Sequence, residues 1–287
     1  MLPLQLLALS KHRIFAFTSL LVLLSLTNTA LAQAWVQPPR SQANLDALER
    51  VKVESYRLEE AGGIKMEYGV YIPTGYDGSK ATPLVIALHG LGSGIDYMME
   101  YNNLVELAES YGYLIATPMG YNERGWYGAR GQDNAFNASS RERNGTMDPA
   151  NLGELSEKDV LNVLAEMRAH YNVDNARTYL IGQSMGGGGT LYIGTKYAEN
   201  WAALAAMAPA IYRDPAETLS VATHLPIMVV MGDADESVDV KVTRSWIEQM
   251  HKLGINHEYI EVPGGSHSSA GRENIDKVFA FLDKHTK

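Results

Sequence analysis

Pro83–Leu88 and Pro226–Met231 are uninterrupted apolar runs, each short enough for a strand and followed at once by small or polar residues. That pattern predicts strands buried on both faces of a sheet. Tyr113–Thr117, Arg177–Ile181, Ala202–Ala208 and His257–Val262 read as further strands. Tyr97–Tyr111, Ser156–His170, Asp239–Leu253, Glu273–Lys284 and the segment from the Gly-rich turn at 182–189 to Ala198 carry helical spacing. Nearer the N-terminus, Val51–Leu58 and Ile64–Ile72 alternate apolar with polar residues around Gly62-Gly63, as a hairpin does. Strands alternating with helices imply an α/β fold: a mostly parallel central sheet with helices on both faces and an antiparallel N-terminal hairpin. Residues 120–155 are polar and rich in Gly, Asn and Arg, and a loop that long in a compact domain is usually functional.

The first 32 residues follow a different rule. Lys11 and Arg13 precede an apolar run from Ile14 to Leu26, and Ala30-Leu31-Ala32 closes the segment. A basic segment, an apolar core and an A-x-A end predict a secretory signal cleaved after Ala32. Thirteen helical residues span about 20 Å, short of the ~30 Å hydrocarbon core, so no stable membrane anchor is expected. Residues 33–49 read as an N-terminal arm and 50–287 as one domain. A secreted or periplasmic protein follows.

Composition narrows the function classes. The 287 residues carry a net charge of −9, which disfavours nucleic acid and anionic lipid as partners. There are no cysteines, which removes disulfides, thiolate metal sites and a cysteine nucleophile together. The histidines lack metal-ligand spacing, so neither a metal nor another cofactor is expected.

Gly182-Gln183-Ser184-Met185-Gly186 is G-x-S-x-G between a predicted strand and a predicted helix. The chemistry asks for that context: a serine on a turn too tight for flanking side chains, with a helix N-terminus facing a developing oxyanion. A nucleophilic serine also needs a base and an acid to orient it. The strand 226–231 runs into Gly232-Asp233-Ala234-Asp235, and the strand 257–262 runs towards Ser266-His267. Both partners therefore fall at strand ends, on the edge of a parallel sheet where ligands bind. Asp233 and Asp235 are both candidates for the acid, whereas Asp239 suits the cap of the next helix. His89-Gly90-Leu91-Gly92 follows another strand; His89 reads as structural. The backbone N–H groups of Leu91 and Met185 are candidate oxyanion donors.

These motifs, L-H-G-x-G at 88–92, G-x-S-M-G-G at 182–187, G-x-x-D-x-x-V at 232–238 and G-G-S-H at 264–267, resemble those of the α/β-hydrolases. The likeness is to the esterase branch with dienelactone-hydrolase-like, feruloyl-type and polyhydroxybutyrate-depolymerase-like enzymes, and to the hydrolase domain of prolyl oligopeptidases. It covers the chain from about residue 50 onward. The resemblance implies Asp235 as the acid, Leu91 and Met185 as oxyanion donors, and a serine esterase with Ser184 as nucleophile and His267 as base. The expected substrate is a small-molecule or polymer-linked ester of a short acyl group or a small aromatic acid. A peptidase of the prolyl-oligopeptidase type and a non-catalytic binder on the same fold are the alternatives. Trp126 and Tyr127 are candidates for a wall of the substrate pocket.

Overall fold

In β3 (Thr82–Leu88) alternate side chains enter different layers: Leu84, Ile86 and Leu88 join one apolar cluster, Val85 and Ala87 the other. That two-sided burial is why the run is apolar throughout rather than alternating. The computed structural model describes residues 39–131, 142–143 and 146–287, so the expected leader, residues 1–32, lies outside the described residues.

The hairpin is present as β1 (Lys52–Leu58) and β2 (Ile64–Tyr71), antiparallel with Leu58 opposite Ile64. Gly62 and Gly63 both take positive φ at its turn, which glycine adopts without steric cost. β4 is Leu114–Pro118; two-residue strands β5 (Glu142–Arg143) and β6 (Thr146–Met147) pair only with each other. β7 (Val173–Gln183), β8 (Ala203–Met207), β9 (Ile227–Gly232) and β10 (His257–Val262) complete an eight-stranded sheet in the order β1-β2-β4-β3-β7-β8-β9-β10. Pairings from β4 to β10 are parallel; β2 joins β1 and β4 antiparallel. The central strands β3 and β7 both end beside the chemistry-bearing loops.

One face is covered by α4 (Leu152–His170), α5 (Met185–Lys196), α6 (Pro215–Ser220) and α7 (Val240–Lys252), through Val163, Met167, Leu191, Leu219 and Trp246. The other is covered by α1 (Gln42–Leu48), α2 (Ile95–Met99), α3 (Leu104–Tyr111) and α9 (Ile275–Leu282), through Ala47, Met99, Val105 and Phe279. The short α8 (Ser269–Arg272) precedes α9. Asp239 caps α7 as expected, its carboxylate accepting from the Lys241 N–H at 2.9 Å. No helix among the described residues is long and apolar enough to cross a membrane.

Several element boundaries differ from the sequence expectation. α4 opens at Leu152, one turn before Ser156, because the fully buried Ser156 hydroxyl accepts from the Tyr127 N–H instead of capping a helix. The helix expected over Tyr97–Tyr111 is two, α2 and α3, and that over Glu273–Lys284 is the shorter α9, Ile275–Leu282, preceded by the unanticipated α8. β7 starts at Val173, with a register shift between its first and later pairings to β3. Helices α1 and α6 were not anticipated, although Asp214-Pro215 supplies a cap and a first-turn proline for the latter.

Candidate active site

Ser184 joins β7 to α5 with φ 59° and ψ −117°, a conformation that non-glycine residues avoid. The tight turn depends on its neighbours. A Cβ on Gly182 would lie 2.3 Å from the Gly186 carbonyl oxygen, and one on Gly186 would lie 2.1 Å from the Leu88 carbonyl oxygen. The strained residue is held by its own backbone: its N–H donates to Met207 O at 2.9 Å, and its carbonyl accepts from Gly188 and Ala210 N–H at 3.0 and 2.9 Å. From Gly182 to Leu191 every residue is buried except Ser184, which is half-buried and reachable.

His267 lies in the loop after β10. Its Nδ1 is 2.8 Å from Asp235 Oδ2 and its Nε2 is 2.8 Å from Ser184 Oγ. A carboxylate only accepts, so Nδ1 carries the proton and Nε2 is left to accept from the serine hydroxyl. The Asp235 side chain is fully covered. Its Oδ1 accepts from the N–H groups of Ser237 and Val238 at 2.8 and 2.9 Å. Burial pushes its carboxyl up, but the bonds from His267, Val238 and Ser237 outweigh this and hold it below the usual carboxylate range. Asp233, the other candidate acid, faces elsewhere: its Oδ1 accepts from Gly264 N–H at 2.6 Å and so ties the end of β9 to the histidine loop.

The loop after β3 runs past Ser184, since a Cβ on Gly90 would sit 3.6 Å from Ser184 Cβ. Met185 is the first residue of α5, where amide N–H groups have no partner within the helix. Leu91, in the loop after β3, is 54% exposed. The loop is braced from three directions. The buried His89 ring is 2.8 Å from both Gly90 O and Met119 O; burial holds its pKa below the usual histidine range, though those two contacts oppose the shift. Gly92 N–H donates to Glu123 O at 2.9 Å. The Tyr127 hydroxyl accepts from His89 N–H at 3.1 Å and lies 3.3 Å from the His89 carbonyl.

Segment 119–131 is thus a support for the loop before it. Tyr127 is fully buried, packed against α5 so closely that a Cβ on Gly189 would meet its ring at 2.6 Å. Trp126 is 5% exposed, with the Arg130 guanidinium 4.1 Å from its ring centroid and Tyr212 edge-on at 5.2 Å. Of these aromatics it is Tyr212, in the loop after β8, that reaches solvent, at 44% exposure. Sequence reasoning singled out Trp126 and Tyr127 and passed over Tyr212. Only its position beyond a strand end signalled it. Two acids anchor the segment. Asp148 pairs with Arg124 at 2.7 and 2.8 Å and accepts from Asn122. Asp159, fully buried on α4, accepts from Gly120 N–H at 2.6 Å and from the Tyr56 hydroxyl at 2.5 Å. Burial raises its carboxyl to about 6 despite those donors.

A serine hydroxyl bonded to a histidine, itself bonded to a buried carboxylate, is an arrangement for nucleophilic attack on a carbonyl. The Esterase family matches residues 60–277. The chain belongs to this family. It is 24% identical over 196 residues to the bifunctional acetylxylan esterase/xylanase of Neocallimastix patriciarum; that stretch is 68% of this chain and 25% of the relative, so the chain spans about a quarter of that protein's length. A thermostable esterase structure superposes with a TM-score of 0.64 at 18% identity, covering 84% of this chain and 64% of the other. The ferulic acid esterase of Anaeromyces mucronatus, solved with ferulic acid, gives 0.59 at 22% identity, covering 81% and 91%. The fold is that of the α/β-hydrolases.

Proposed function

We propose that this esterase cleaves its substrate through an acyl-enzyme on Ser184. The observation that carries the reading is the continuous Ser184–His267–Asp235 hydrogen-bond chain beginning on the one reachable residue of the strained turn. Ser184 Oγ attacks the ester carbonyl while His267 Nε2 takes its proton. Asp235 keeps Nδ1 protonated and stabilises the imidazolium that forms. Leu91 and Met185 N–H groups receive the carbonyl oxygen as it gains charge, each donor contributing roughly 3–4 kcal/mol. The imidazolium returns its proton to the leaving alcohol, and water repeats the attack to free the acid.

Fluorophosphonate labelling tests this. The wild-type protein should gain one adduct, mapped by peptide mass spectrometry to Ser184, and Ser184→Ala should gain none. An adduct on another serine, or undiminished turnover in the variant, overturns the assignment.

The preferred substrates are esters of short acyl groups or small aromatic acids. An alcohol leaves more readily than an amine, which favours esters over peptides. Among the described residues, Leu91 and Tyr212 are exposed apolar side chains on two different loops rather than the broad apolar face that an oil surface requires. On p-nitrophenyl acetate, butyrate and palmitate, methyl ferulate and a Pro-containing peptide anilide, kcat/KM should be lowest for palmitate and the anilide. Either of these leading by tenfold would replace this substrate reading.

The same proposal includes export by residues 1–32. N-terminal sequencing of periplasmic or culture protein should begin at Gln33; retention of Met1 in a membrane fraction would refute it.

A further inference from the structure

Gln183, the residue just before the nucleophile, is 3% exposed and belongs to the last register pair of β7 with β8. Its amide is engaged at both ends. Oε1 accepts from the Tyr97 hydroxyl at 3.0 Å, and Nε2 donates to the backbone carbonyl of His267 at 3.2 Å. The same amide lies against Gly90, where a Cβ would come within 3.0 Å of Oε1. One side chain therefore touches the histidine loop, the loop after β3 and α2. Tyr97 closes the circuit: the Arg272 guanidinium lies 5.2 Å from its ring centroid and 4.4 Å from that of Tyr101. Arg272 ends α8, the helix that opens two residues after His267.

The histidine loop needs such a tie. Asp235 fixes the rotation of the His267 ring, but a ring held only by its far nitrogen still moves with its backbone. Pro263, Gly264 and Ser268 around it are exposed. The local bonds of this loop, between Ser266 and Ser269, shape its turn, and Asp233 and Ala234 tie Gly264 and Gly265 to the end of β9, three and two residues before His267. The Nε2 bond of Gln183 reaches the His267 carbonyl itself, from a strand buried in the sheet centre.

We propose that Gln183 is a positioning residue for ester hydrolysis: its amide holds the His267 backbone at the depth that brings Nε2 onto Ser184 Oγ. The proposal rests on the catalytic roles given above to Ser184 and His267. The chemistry selects an amide. Tyr97 needs an acceptor and the His267 carbonyl needs a donor, and only the two halves of an amide supply both at that length. A carboxylate would keep the Tyr97 bond while setting lone pairs against the His267 carbonyl.

Three variants test it: Gln183→Met, which keeps length and loses both bonds; Gln183→Glu, which keeps only the Tyr97 bond; and Tyr97→Phe, which keeps only the His267 bond. Their kcat and KM on p-nitrophenyl acetate, the pH profile of kcat/KM and thermal midpoints are compared with wild type. Gln183→Met should lose at least tenfold in kcat with KM within twofold. Gln183→Glu should lose more, and its acidic limb should move to higher pH because a carboxylate beside His267 favours the imidazolium. Tyr97→Phe should lose less than either. Wild-type kcat in a folded Gln183→Met or Gln183→Glu overturns the proposal, and so does a loss that falls on KM alone. If one of these two does not fold, the other decides. Labelling of wild-type Ser184 is scored separately: its absence refutes the catalytic assignment, whereas labelled Ser184 with unimpaired Gln183 variants refutes only this inference.

Discussion

The Cα of Gly186 faces the Leu88 carbonyl so closely that a Cβ would lie 2.1 Å from its oxygen. This approach lets the end of β3 and the start of α5 share one edge, and it brings Gly90 beside Ser184. Gly186→Ala must push β3 and α5 apart. We expect it to lower the thermal midpoint and remove nearly all turnover, although alanine favours a helix over glycine by about 1 kcal/mol. A folded Gly186→Ala with native activity would show that the contact is dispensable.

The two acids after β9 should separate cleanly. Asp235→Asn leaves the imidazole free to adopt the wrong tautomer, a change that can lower turnover by about 10⁴. Asp233→Asn only weakens the tie to Gly264 N–H and should stay within about tenfold of wild type. The reverse ranking in kcat would assign the orienting role to Asp233.

Ser184→Ala and His267→Ala should each abolish turnover almost completely, and the double variant should be scarcely worse. Groups that act as a unit do not lose activity additively. Single-turnover measurements that find multiplicative losses would argue against a shared step.

Asp148 governs the loop through two intermediates. It pins Arg124 and Asn122, and between them Glu123 O receives the Gly92 N–H, one residue from Leu91. Asp148→Ala should reduce kcat by ten- to a hundredfold, less than outright loss of an oxyanion donor, with little change in KM on p-nitrophenyl acetate. A variant that raises KM and spares kcat would place the effect in substrate binding instead.

Asp159 predicts a pH dependence of stability. An unfolded aspartate loses its proton near pH 3.9, whereas burial in the folded protein raises this to about 6. Between these values the folded state binds the extra proton, so stability falls as pH rises from about 4 to 6 and levels off above. The cost is on the order of 2–3 kcal/mol. Asp159→Asn should lose this slope in urea unfolding compared at pH 4.5 and 6.5. Identical slopes in the two proteins would refute the assignment.

Much of the fold was legible because burial on two faces leaves a local mark. β3, β9 and their neighbours read as apolar runs, and the hairpin read as alternation around Gly62-Gly63. Boundaries were less legible where a residue's role is set by a distant partner. Ser156 looks like a helix cap until its hydroxyl is seen on the Tyr127 N–H. In β7, Asp174-Asn175 resembles a turn although the strand continues through it.

By itself the sequence determined the residue types and their order: a G-x-S-x-G turn, carboxylates after one apolar run, a histidine after another, and glycines where no side chain fits. Those signals are local, because a strand end or a tight turn constrains its own residues. The tertiary structure decided which of two neighbouring acids faces His267, and it put Tyr127 inside the protein and Tyr212 outside. It also gave Gln183 two partners, 86 and 84 residues away in the chain. Such choices depend on directions and distances between side chains on different strands, and the sheet brings those strands together through pairings that no local pattern encodes.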